Sequence, residues 1–219
     1  MGRGILLIII FNGPPGSGKD EAAAYFKLRG FKHLSFKHAL FKETIAFFDV
    51  DEEWFMNGYN DRAVKEQPEE LLEDMSRREA MIYVSEEITK PALGKDIFGV
   101  CVAREIEDGM NYAISDGGFE EELIPLINRV GTQNIVLVQL TRDGCDYSSD
   151  SRRYFNGRLE KEYIIQKSTK IDREHVLPKE FSIRTYRVHN NGSLNEFHEI
   201  LSDIYEKECN EHAETKDVA

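Results

Sequence analysis

The clearest pattern along the chain is an unbroken apolar run, Ile5–Phe11, rich in β-branched residues. Such a run reads as a strand covered on both faces, because a half-exposed strand would alternate apolar and polar positions. A glycine-rich turn follows, then a helical stretch from about Gly18 to Leu28, which Gly30 would close. Phe31–Phe36 reads as a short second strand and Ala39–Phe48 as a helix with one apolar face. Ser76-Arg77-Arg78-Glu79 has capping-box spacing and opens a helix through about Glu87, and Asp96–Glu107 predicts another. Tyr112–Ser115 predicts a third strand ending in Asp116-Gly117-Gly118, after which Phe119, Leu123, Leu126, Ile127 and Val130 share one helical face. Asn134–Leu140 and Ile183–Val188 predict a fourth and a fifth strand. Asn191-Gly192 ends the fifth, and Ser193-x-x-Glu196 caps a last helix carrying Leu194, Phe197, Ile200, Leu201 and Ile204 on one side. Strands alternating with helices predict an α/β fold: a five-stranded parallel sheet with helices on both faces. Ligands then bind beyond the carboxyl ends of the strands.

Two segments break this rhythm. Residues 49–74 hold ten acids against Arg62 and Lys65, which predicts a solvated, loop-rich insert, with Pro68 marking a helix start. Residues 142–170 are polar and basic, with seven Lys/Arg against five acids, and read as a lid. The expected plan is a single domain over 1–219: a core of 1–48, 88–141 and 183–205, an insert at about 49–87, a lid at about 142–170, and a polar tail, 206–219, that frays.

Composition narrows the classes. A chain of 219 residues, 41% hydrophobic and 31% charged, fits a globular domain and argues against a disordered or membrane chain. Ile5–Phe11 is too short to span a bilayer, and Asn12-Gly13-Pro14-Pro15-Gly16 after it offers no small-x-small cleavage pattern. The net charge of −12 disfavours an extended nucleic-acid track, which needs Lys and Arg facing phosphates. Much of that acidity lies in the insert and the tail, so the rest of the surface is free to be locally basic. Cys101, Cys145 and Cys209 are far apart with no C-x-x-C, which indicates neither a disulfide framework nor a zinc site, and a cytoplasmic location is expected.

The chemistry concentrates in Gly13-Pro14-Pro15-Gly16-Ser17-Gly18-Lys19, a G-x-x-x-x-G-K loop between a predicted strand and a predicted helix. Gly13, Gly16 and Gly18, with Ser17, let backbone N–H groups cradle phosphate oxygens. Lys19 would reach the outer phosphates, and the helix adds its positive N-terminus. The next position usually carries a Ser or Thr ligand to Mg²⁺, and here it is Asp20. A carboxylate is a hard-oxygen ligand for Mg²⁺, directly or through water; Asp20 is equally a favourable first-turn helix acid.

The class of phosphate-loop protein follows from what else is present. Thr169-Lys170-Ile171-Asp172 formally matches a GTPase base-recognition motif but follows no strand, and Asp116-Gly117 lacks the Glu that motor ATPases use to polarise water. A small phosphoryl-transfer kinase remains, which needs cations around the transferred group. Arg142 ends the fourth strand, and Arg152 and Arg153 lie in the basic stretch where a lid would close, unless they are ordinary solvated charges. Arg77 and Arg78 sit at a helix N-terminus that disfavours cations by about 0.3–1 kcal/mol each, which makes sense if an anion joins them. Arg62 and Lys65 would serve the same acceptor phosphate or pair with nearby carboxylates. Asp116 would order waters around Mg²⁺, accept a proton, or cap the next helix.

The G-x-x-x-x-G-K-Asp loop, His33-Leu34-Ser35-Phe36 and Val188-His189-Asn190-Asn191-Gly192-Ser193-Leu194 together resemble deoxynucleoside monophosphate kinases of the bacteriophage type. The two ends of the chain match best, the middle only in layout, and Asp116-Gly117-Gly118 departs from the family's more polar sequence after that strand. The resemblance implies an adenylate-kinase-like phosphate-loop fold, a helical monophosphate-binding insert, and ATP- and Mg²⁺-dependent phosphorylation of a (deoxy)nucleoside monophosphate. Lys19 and Asp20 would take the family's loop roles, Asn190 and Gly192 would lie near the ATP base, and Ser35 and Lys37 would border the monophosphate site. A monomer or homodimer is expected, in the host cytoplasm if the chain is phage-encoded. Two other functions compete: a kinase acting on another hydroxyl, such as a hydroxymethylated base in DNA, and a nucleotide-binding regulator without catalysis.

Overall fold

The computed structural model describes residues 6–148, 150–155, 165–166, 173–174 and 182–214. Five strands form one sheet: β1 (Ile8–Asn12), β2 (Lys32–Leu34), β3 (Tyr112–Gly117), β4 (Ile135–Thr141) and β5 (Arg184–His189). Their spatial order is β2-β3-β1-β4-β5, and every neighbouring pair is parallel. The chain crosses over β1 on its way from β3 to β4, so the order reverses at the central strand. A parallel sheet opens a crevice for ligands at such a reversal, beyond the carboxyl end.

The apolar run divides cleanly between the two faces. Ile8 and Ile10 join Tyr112, Ile114 and Leu137 against α5 (Ile97–Glu105) and α6 (Leu123–Val130). Leu7, Ile9 and Phe11 join Ala113, Val136 and Val138 against α1 (Lys19–Lys27) and α7 (Leu194–Glu214). Each of these β1 side chains is fully buried, worth roughly 1.5–3 kcal/mol apiece in transfer from water. Helices therefore cover both faces, as the uninterrupted run predicted.

The acidic segment 49–74 is more ordered than its charge suggested. Asp51 accepts a hydrogen bond from the Trp54 N–H (2.8 Å) and caps α3 (Glu52–Asn60). Glu52 and Glu53 occupy the first turn, where the helix dipole favours acids. Phe55 on α3 is fully buried in a third cluster with Leu72, Ala80 and Met81, which α2 (Lys37–Phe48) joins through Leu40, Phe41, Ile45 and Phe48. Pro68 does not start a helix: Pro68–Glu69 pairs antiparallel with Met75–Ser76, and Glu70–Leu72 makes one 3₁₀ turn between them. The capping box at Ser76 is formed as expected and opens α4 (Arg77–Tyr83). The chain then continues through a π-helical stretch, Val84–Thr89, into Lys90–Leu93.

Asp116 belongs to β3 itself. The register between β1 and β3 slips by one residue between the Ile10–Ile114 and Asn12–Gly117 pairs. That extra residue on β3 re-aims the side chains at its carboxyl end. Of the lid expected at 142–170, residues 149, 156–164 and 167–170 lie outside the described residues, as does the Thr169–Asp172 match; Ile165–Gln166 pairs antiparallel with Arg173–Glu174.

Candidate phosphate-binding site

Gly13–Gly18 forms the turn between β1 and α1 at the reversal point of the sheet. Two glycines are demanded by space as well as by conformation. A Cβ on Gly13 would lie 2.5 Å from the Leu140 carbonyl oxygen and 2.6 Å from Ser17 Oγ. One on Gly18, whose φ is +103°, would lie 2.4 Å from Asn190 Nδ2. Asn190 in turn donates to the Ser17 carbonyl oxygen (2.9 Å) and its own N–H donates to Thr141 (2.8 Å), so the loop after β5 fixes the glycine-rich loop. Arg142 reaches the Gly16 carbonyl oxygen at 3.5 Å. Gly192 is exposed, and a Cβ there would meet Glu196, whose carboxylate accepts from Ser193 at the start of α7.

Two polar groups of the loop lack a partner suited to their charge or burial. Ser17 Oγ is buried without a hydrogen bond. The Lys19 ammonium is 8% exposed and donates to the Pro14 carbonyl oxygen at 2.7 Å. Burial first, then the charge of Arg152, pull its pKa down to about 8, with Asp20 opposing and Lys37 adding to the fall. Lys19, Arg152 and Lys37, from three separate parts of the chain, thus share one region. Asp20, in the first turn of α1, is exposed beside them.

Arg152 is the more buried of the two adjacent arginines. Its guanidinium forms a forked pair with Asp150, Nε lying 2.9 and 3.0 Å from the two carboxylate oxygens. Burial opposes the Asp150 charge, but the Arg152 pairing outweighs it and holds the carboxyl at about 2. The Arg152 stem lies against Gly118, where a Cβ would come within 2.4 Å of it. Arg153 turns away: its guanidinium meets Glu120 at 3.0 Å.

Asp116 is buried and heavily engaged. It accepts from Ser35 Oγ (2.7 Å) and from the backbone N–H groups of Phe36 and Lys37 (3.0 Å each). It therefore caps α2, the helix after β2, rather than the helix after β3. Ser35 and Lys37 are held beside the carboxyl ends of β2 and β3 by that carboxylate.

The insert places its cations unequally. Arg77 is 2% exposed, ion-paired with Glu69 (2.6 Å), stacked 4.1 Å from the Trp54 ring centroid and pressed against Gly58. That setting makes Arg77 a buried brace between α3 and α4. Its neighbour Arg78 pairs with Glu66 at 3.6 Å, and its charge also bears on Asp150. Lys65 lies 3.8 Å above the Tyr59 ring. Burial alone would raise the Tyr59 pKa, but the charges of Lys37 and Lys65 together hold it below its usual value. Arg62 is exposed on the surface of the insert.

Residues the sequence did not flag complete the cleft. Asn12 and Gln139, buried at the carboxyl ends of β1 and β4, hold the segment around Arg152. Each is a polar residue that interrupts an otherwise apolar run, a signal visible in IIIFN and IVLVQL. Glu122 is buried beside Asp116, Lys90 and Arg152; burial first, then Asp116, push its pKa well up.

The site's donor set suits phosphate oxygens: no room for a side chain at Gly13 or Gly18, an orphaned Ser17 hydroxyl and a buried ammonium turned onto backbone. Among the described residues no three His, Cys, Asp or Glu side chains converge on a metal position. Mg²⁺ bound with phosphates needs only one or two carboxylates and waters. No helix among the described residues is long and apolar enough to cross a membrane. A scan against models of known protein families matches none, and a search of curated proteins finds no match.

Proposed function

We propose that this chain transfers the γ-phosphoryl group of ATP, with Mg²⁺, to a (deoxy)nucleoside monophosphate, in the manner of the phage-type kinases its loop motifs resemble. The observation that carries this reading is the meeting of Lys19, Lys37 and Arg152 beyond the sheet, with the Arg78 charge bearing on Asp150. A chain of net charge −12 gathers cations from the glycine-rich loop, the β2–α2 junction, the insert and the lid around one space. Such a cluster suits two phosphate-bearing substrates brought end to end.

In this account the N–H groups of Gly16–Lys19 and the α1 N-terminus hold the donor phosphates. The Lys19 ammonium leaves the Pro14 carbonyl oxygen for phosphate oxygens, exchanging a neutral acceptor for charged ones. Arg152, preset by Asp150 and Gly118, places its guanidinium against the charge spread over the transferred group. Lys37 and Arg78 orient the acceptor phosphate, and Ser35 borders it. The acceptor is already a phosphate, so no strong base is required; Asp116 positions Ser35 and Lys37 instead. Asp20 would hold Mg²⁺ through water, and the ion would supply charge neutralisation to the phosphates. Arg142 and Asn190 shape the far side of the loop, near the ATP base.

A dinucleoside polyphosphate that joins donor and acceptor in one molecule tests the reading by binding. It should raise the melting temperature well above the shift given by ATP alone, since ligands stabilise by mass action on the folded state. Lys19→Ala should lose most of either shift, and Lys37→Ala only the excess of the joined ligand. Equal shifts from ATP and the joined ligand would leave no acceptor site.

A further inference from the structure

Asn12 is fully buried, and both its amide oxygen and its amide nitrogen are bonded to the far end of the site. Oδ1 accepts from the Phe155 N–H at 2.8 Å. Nδ2 lies 2.9 Å from the Arg153 carbonyl oxygen, 3.1 Å from the Tyr147 hydroxyl and 3.1 Å from the Gly117 carbonyl oxygen. Gln139 on β4 completes the clamp by donating to the Phe155 carbonyl oxygen at 2.7 Å. The residue after Asn12 is Gly13, the first of the glycine-rich loop, and Arg152 lies inside the clamped segment.

We infer that Asn12 is a positioning residue that ties Tyr147 and residues 150–155 to the root of the glycine-rich loop and so sets the distance between Arg152 and Lys19. A polar side chain is costly in the middle of an apolar core unless every bond is made. Here the bonds run to the Tyr147 side chain before Arg152 and to the backbone of Arg153 and Phe155 after it, through sequence separations of 135–143 residues. Neither strand pairing nor apolar packing calls for an amide at the end of β1. The consequence for phosphoryl transfer rests on the kinase reading above; the anchoring does not.

Trypsin reads the anchoring without any need for activity, because the bonds after Arg152 and Arg153 lie within the clamp. Asn12→Ala should speed cleavage at those two bonds at least about tenfold, since breaking the anchoring hydrogen bonds lowers the free energy of local opening. Cleavage elsewhere and the far-ultraviolet circular dichroism should stay as in the parent protein. Should Asn12→Ala fail to fold, Asn12→Asp, which keeps the shape and loses the Nδ2 donors, and Gln139→Met, which frees the Phe155 carbonyl, carry the same test. With an active acceptor in hand, the variants should lose kcat while KM for ATP moves far less. A folded Asn12 variant cleaved at the parent rate would overturn the inference. Faster cleavage in a protein that phosphorylates no acceptor would uphold the anchoring and reject the kinase reading instead.

Discussion

Lys19 combines burial with two cationic neighbours, and its pKa of about 8 is the measurable result. At pH 8 about half of the free protein lacks that proton. Phosphates placed against the amine favour its charged form, so nucleotide binding must then take up protons. Calorimetric titration with ATP at pH 8, in two buffers of different ionisation enthalpy, should show uptake approaching half a proton, shrinking toward pH 6.5. Lys19→Ala should abolish the uptake and cost roughly 10²–10³ in turnover, as loss of one charge-stabilising donor does. Arg152 and Arg153 should separate as sharply. Arg152→Ala should cost about as much as Lys19→Ala, and Gly118→Ala should follow it in direction by displacing the Arg152 stem, while Arg153→Ala, whose partner is Glu120, should cost far less. Steady-state kinetics on the three variants checks this. The tight turn between β1 and α1 was legible in the sequence because it is local: the glycine spacing after an apolar strand marks it. The choice between Arg77 and Arg78 was not, because adjacent helical residues point in different directions and only tertiary packing decides which one Trp54 and Glu69 enclose.

Among the elements, α2 shows how a helix start is set from outside its own sequence. Phe36, at its N-cap, has no side-chain oxygen, and Asp116 supplies the missing acceptor from β3. Asp116→Asn keeps one acceptor oxygen but turns an amide toward the donors. It should cost about 0.5–2 kcal/mol in urea unfolding, the range for lost caps, and raise KM for the acceptor more than KM for ATP. An unchanged stability with a lost Mg²⁺ response would assign Asp116 to the metal instead. Element types along the sheet were readable because apolar strands and amphipathic helices announce their periods. The helix in 49–74 was hidden by its charge. Asp51, Glu52 and Glu53 count as solvated acids in a composition tally, yet by position they are a cap and a first turn, and Phe55 behind them is core.

At the scale of the whole molecule, Glu122 is a carboxyl buried beside Asp116 and Arg152. Its Oε2 has no hydrogen-bond partner. The folded protein holds this carboxyl protonated to higher pH than the unfolded chain does. Above the ordinary Glu range, near 4.5, the unfolded state therefore loses a proton that the native state keeps. Stability then falls as pH rises, by up to ~1.4 kcal/mol per pH unit, until the folded pKa is passed. Glu122→Gln should be more stable than the parent at pH 8, with the gap closing toward pH 4.5; melting curves across that range check it, and a gap independent of pH would contradict the burial argument. The parallel sheet and its flanking helices were foreseeable from the alternation of elements, and so was the position of the site beyond the strands' carboxyl ends. The cross-chain bonds of Asn12, Gln139 and Asp116 were not, because they join residues about 80 to 140 positions apart. The central claim is that this crevice moves a phosphoryl group between two nucleotides. Its most direct test is ADP formation from ATP and Mg²⁺ against a panel of ribo- and deoxyribonucleoside monophosphates. The account predicts acceptor-dependent turnover with at least one of them, yielding the nucleoside diphosphate and lost in Lys19→Ala. No acceptor-dependent ADP with any member of the panel would contradict it.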